Sequence, residues 1–106
     1  MNQPPEHDEE TFWNLVDQFI EQANNAVDQA GDPALVSAAL LQACSRFNAF
    51  VVAAASLDRK EYTEEMPSAL SFLSDQFREQ LEADLEDYRE HYKVYIAKDR
   101  PEDPLH

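Results

Sequence analysis

A chain of 106 residues, 43% of them hydrophobic, has room for one domain built around one core. Its 22 acids against 8 Lys and Arg give a formal charge of −14, and a field of that sign repels the phosphate backbone of nucleic acids and anionic membrane surfaces alike. The lone cysteine, Cys44, excludes an intramolecular disulfide and a thiolate zinc cluster.

The charge is unevenly spread. Residues 1–32 hold eight acids and no Lys or Arg, residues 33–60 one acid against three bases, and residues 61–106 thirteen acids against five bases. The ordinary reading of such acidity is solubility; the sharper one is a surface for a basic partner, in imitation of a nucleic acid. The N-terminal Met-Asn-Gln-Pro-Pro-Glu-His has neither a positive n-region nor an apolar h-region. No secretory signal is expected there, and a cytoplasmic location is the default.

Residues 1–8 read as a flexible tail, 9–98 as a single helical domain and 99–106 as a second tail. Asp8 or Thr11 can cap the first helix, with Glu9 and Glu10 in a first turn that favours negative charge. Phe12, Val16, Phe19, Ile20, Ala23, Val27 and Ala30 then recur at three and four residues, the spacing of an amphipathic helix. Gly31 stands where a left-handed C′ residue belongs, and Asp32-Pro33 supplies an N-cap and an N1 proline for the next helix. So short a connection makes the first two helices antiparallel neighbours.

The segment Pro33–Leu57 is apolar on nearly every side. A helix of that kind must be covered by neighbours, so the pattern places it at the centre of a bundle. Ser, Gln, Arg and Asn interrupt its apolar runs and argue against a membrane span. Cys44 reads as a small buried hydrophobe. Asp58 to Tyr62 is charged and loop-like. Thr63 to Pro67 opens a third helix of ambiguous start, on which Leu70, Leu73, Phe77, Leu81, Leu85, Tyr88, Tyr92 and Tyr95 step by three and four to about Ala97. The expected fold is all-α: a three-helix up-down-up bundle with a long third helix, open to completion by oligomerisation.

Two features point to function. If antiparallel partners across the second turn sum to about 120 in residue number, residues 88–97 overhang the second helix by about 15 Å. That overhang carries Tyr88, Tyr92, Tyr95 and Ile96, side chains suited to an interface. A second chain, a tail folding back, or simple exposure of amphipathic tyrosines would each account for them, and the first makes a homodimer or another protein partner the leading expectation.

The other feature is Ser45-Arg46-Phe47-Asn48 inside the apolar helix. A buried guanidinium must be paired. Asp17, level with Arg46 in an antiparallel pair summing to about 63, is the expected partner, with Asn24 or a third-helix acid in reserve. Arg46, Asn48, Ser45 and Asp17 thus read as a polar network that sets helix register, the alternative being an anion or carboxylate site.

Here the chain resembles a known family. The run from Cys44 to Ala54, followed by the acidic third helix with Leu85-Glu86-Asp87-Tyr88 and the terminal Tyr/Val/Tyr segment, is similar to a family of small bacterial proteins catalogued as a domain of unknown function. The likeness covers roughly residues 12–97, with the Arg-Phe-Asn-Ala quartet as its most specific element and Pro67 as a departure. It implies a bacterial, soluble, helical protein and brings no catalytic residues.

Chemistry finds little support. No Glu-x-x-His pair of the di-iron bundles occurs. Asp84, Asp87 and His91, at spacings of three and four, are only weak metal candidates and read first as a solvated face. There is no Gly-x-Ser-x-Gly, and a single glycine forbids a phosphate-cradling loop. The expectation is a non-catalytic interaction or self-association module without a cofactor; the alternatives are a small-ligand or metal-binding bundle, or an acidic mimic that binds a basic protein.

Overall fold

A computed structural model describes residues 8–92. Three α-helices occupy almost all of that span: α1 (Glu9–Ala30), α2 (Pro33–Ala54) and α3 (Arg59–Glu90), with no strand among the described residues. The protein is all-α, as the periodicities require.

The α1–α2 junction follows from three residues. Gly31 adopts φ 73°, ψ 14°, and its N–H donates to the Val27 carbonyl at 2.7 Å, closing α1 with a left-handed residue. A side chain at Gly31 would meet no atom within 4 Å, so backbone strain alone selects glycine there. Asp32 then caps α2 by accepting from the backbone N–H groups of Ala34 at 3.1 Å and Leu35 at 3.4 Å. Pro33 takes the first helical position, where its missing N–H costs nothing. At the other end of α1, Asp8 occupies the N-cap position but its side chain makes no capping bond.

The start of α3 corrects the expected loop over Asp58–Tyr62. The helix begins at Arg59, with Asp58 as its N-cap accepting from the Glu61 N–H at 2.9 Å. The Glu61 carboxylate accepts in return from the Leu57 N–H. This is a reciprocal cap of the Asp-x-x-Glu kind, and it releases the helix several residues earlier than Pro67 suggested. Pro67 lies inside α3, a helix of 32 residues. α2 ends by tightening: Ser56 donates from its N–H to Ala53 and from its hydroxyl to Val52.

The chain divides into two compact units, Met1–Phe47 and Asn48–His106, with the division inside the continuous helix α2. In the first unit α1 lies against the N-terminal part of α2. Val16, Ala23, Ala26 and Val27 of α1 and Pro33 and Val36 of α2 are half-buried, in a register that sums near 63 as the hairpin geometry requires. In the second unit the half-buried positions are Asn48, Val52 and Ser56 on the α2 side and Glu61, Tyr62, Ala69, Leu73 and Gln76 on α3, with the facing pairs summing near 120.

No described residue is fully buried. The expectation that neighbours within the chain wrap α2 on most sides is therefore not met. The physical reason is numerical: within each unit one helix lies against α2, and one neighbour covers one side of a cylinder.

Candidate association surface

The exposed face of α2 is the most prominent chemical feature of the chain. Leu35, Leu41, Phe47 and Phe50 are 58%, 56%, 64% and 63% exposed. Leu35, Ala39, Gln42, Arg46, Phe50 and Ala53 follow one another at steps of four, three, four, four and three, which places them on one ridge of the helix. Arg46 stands near the middle of that ridge.

Arg46 is exposed, as are Asp17, Asn24 and Ser45, and among the described residues neither Arg46 nor Asp17 makes an ion pair. The expected buried pair between them is thus absent from the chain, and Ser45 belongs to no buried network. A guanidinium already in water needs no intramolecular partner, so nothing compels the contact. Asn48 alone of the expected four is half-buried, and it is engaged. Cys44, expected inside, is exposed for the same reason as its helix.

In the first unit a shallow groove of about 440 Å³ runs between Gln18, Phe19 and Gln22 of α1 and Val36, Ala39 and Leu40 of α2. Its walls carry amides, aliphatic groups and the Phe19 ring, and no titratable side chain. It offers contact area and no acid, base or nucleophile.

The second half of α3, with Tyr92 two residues past its end, carries another apolar stripe. Phe77, Leu81, Leu85, Tyr88 and Tyr92 are all exposed, at steps of four, four, three and four. At 100° per residue this stripe lies about a third of a turn from the side on which Tyr62, Ala69, Leu73 and Gln76 are half-buried. Beside it, Arg78 pairs with Glu82 at 3.2 Å and Arg89 with Glu86 along the helix, and the His91 ring lies 3.3 Å from the Asp87 carboxylate. Exposed Arg–Glu pairs of this kind contribute a few tenths of a kcal/mol each. Asp84 lies three residues after Leu81 and four before Tyr88, at the edge of the stripe, exposed and without an ion pair among the described residues.

Of the four interface candidates, Tyr88 and Tyr92 are exposed on this stripe, whereas Tyr95 and Ile96 lie outside the described residues. Among the described residues no group of three His, Cys, Asp or Glu side chains is gathered so as to hold a metal ion, Asp84, Asp87 and His91 included. The features that spacing alone missed are the Asp58/Glu61 cap and the position of Asp84. The first was readable as an Asp-x-x-Glu pair; the second as an acid in an otherwise apolar ridge.

Three helices with two exposed apolar ridges define an all-α protein whose distinctive chemistry is on its surface. A family model described as Protein of unknown function (DUF3144) matches residues 12–89, and the chain belongs to that family. No curated protein and no solved structure matches the chain.

Proposed function

We propose that this protein is a non-catalytic self-association module of the cytoplasm, a homodimer or higher homo-oligomer in which other copies cover α2. One observation carries the reading: a helix of 22 residues, apolar almost all round, has no buried residue. Covering a large apolar side chain is worth about 1.5–3 kcal/mol, so the exposed Leu35, Leu41, Phe47 and Phe50 spread around α2 favour association. Contiguous apolar surface of this kind marks interaction sites.

By length and mean hydropathy, 1.5, α2 could also cross a bilayer. Its own residues favour a protein cover. Arg46 near the middle would cost about 2.5–3.5 kcal/mol at the centre of a membrane, and Gln42 and Asn48 sit within a turn or so of it. The acid-rich α1 and α3 supply the net charge that keeps an assembly in solution.

The test is thermal unfolding over about a hundredfold range of protein concentration, followed by circular dichroism without detergent. An assembly that prefers the folded state raises the midpoint as concentration rises. A midpoint that stays fixed, together with the mass of one chain, would contradict self-association and leave a foreign protein or a lipid as the cover.

A further inference from the structure

We infer that the second copy covers α2 with the Phe77–Tyr92 stripe, which runs along the second half of its own α3 and just past its end, and that Arg46 of one copy pairs with Asp84 of the other. This rests on the self-association reading and names its interface. Both helices carry an exposed apolar ridge, α2 with Arg46 near its centre and α3 with Asp84 on one edge and Arg78 on the other; among the described residues Arg78 pairs with Glu82, and neither Arg46 nor Asp84 has an ion pair.

The charges choose between the possible pairings. α2 carries Arg46 and no acid, whereas α3 from Phe77 to Tyr92 carries six acids against Arg78 and Arg89. Two α2 ridges packed antiparallel about their centres would set Arg46 near its own copy in a dry contact. Two α3 stripes would set Asp84 near its own copy amid further carboxylates. Like charges juxtaposed in an interface are strongly disfavoured. α2 against the other copy's α3 sets opposite signs together at the centre of the contact, Arg46 against Asp84.

Length agrees. The α3 stripe is about 22 Å long and α2 about 33 Å, so the stripe fits within the ridge. Phe77 and Tyr92 lie seven and eight residues either side of Asp84; Ala39 and Ala53 lie seven either side of Arg46. Seating the two charges against each other therefore centres the two apolar runs. Where a two-fold axis relates the copies, the contact is made twice, once in each direction, and the assembly closes at a dimer.

The charge-swap variants Arg46→Asp and Asp84→Arg test this in trans. Wild-type protein gives the reference dissociation constant by light scattering or sedimentation. Each variant alone is expected to associate about tenfold or more weakly, because both of its contacts set like charges together. An equimolar mixture is expected to regain wild-type affinity as a mixed dimer, since both of its contacts then join opposite charges. Circular dichroism of the mixture confirms that both chains are folded.

Variants that associate as tightly as wild type overturn the Arg46–Asp84 contact while leaving self-association standing. A mixture that stays dissociated, while the double variant carrying both changes in one chain recovers, overturns it too, because the pair would then lie inside a single chain. A wild-type protein that is monomeric at every concentration defeats the self-association reading itself, and the interface with it.

Discussion

Single residues determine where each helix begins and ends. Gly31 at φ 73° is the clearest case, because nothing but the backbone opposes a side chain there. Gly31→Ala is expected to cost about 1–2 kcal/mol, seen as a lower unfolding midpoint; an unchanged midpoint would mean that the turn relaxes elsewhere. Pro67 is the opposite case. Inside α3 it removes the N–H that would bond to the Thr63 carbonyl, although the Thr63 hydroxyl finds a helical partner in the Arg59 carbonyl at 2.8 Å. Pro67→Ala should therefore raise stability, by up to about 3 kcal/mol in thermal or urea unfolding. A loss of stability instead would assign the proline a bend that association needs. The sequence made Gly31, Asp32 and Pro33 legible because each has a distinctive backbone requirement. It misled at Pro67, since a strong proline signal outweighed the quieter Asp58/Glu61 pair that starts the helix.

Among the helices, type and register were readable and burial was not. Steps of three and four residues gave three helices, and the antiparallel sums near 63 and 120 recur in the half-buried positions of each unit. Periodicity reports which side of a helix is apolar; it does not report how many neighbours arrive to cover it. That is why Arg46 and Asp17, level in the expected register, are both in water. The same distinction shapes the expectation for α2. Leu35→Asp sits on the exposed ridge, so in a lone chain it would cost little, whereas a buried carboxylate in a dimer is costly. A fall in affinity of tenfold or more with helix content retained at high concentration is expected; wild-type association of the variant would remove that ridge from the contact.

Across the whole molecule, charge works against the assembly that the apolar surface drives. Two copies each at −14 repel at long range, and salt screens that repulsion beyond about 10 Å at 0.1 M. Raising salt from about 10 mM to 0.2 M is therefore expected to tighten self-association. Weakening over that range would indicate that ion pairs, rather than apolar contact, dominate the interface. An acidic mimic binding a basic protein would respond in the opposite sense, losing affinity as salt rises, which gives a means of telling the two readings apart. The proposed role was not legible in the sequence because it rests on an α2 with no buried residue and on Arg46 and Asp84, which make no ion pair among the described residues, and neither feature is a motif. The central claim is that α2 is covered by another copy of the chain, and sedimentation equilibrium of the wild-type protein, in buffer without detergent from about 1 to 100 µM, tests it most directly. The account predicts a mass that rises to twice that of the chain or a higher whole multiple; the mass of a single chain throughout would contradict it.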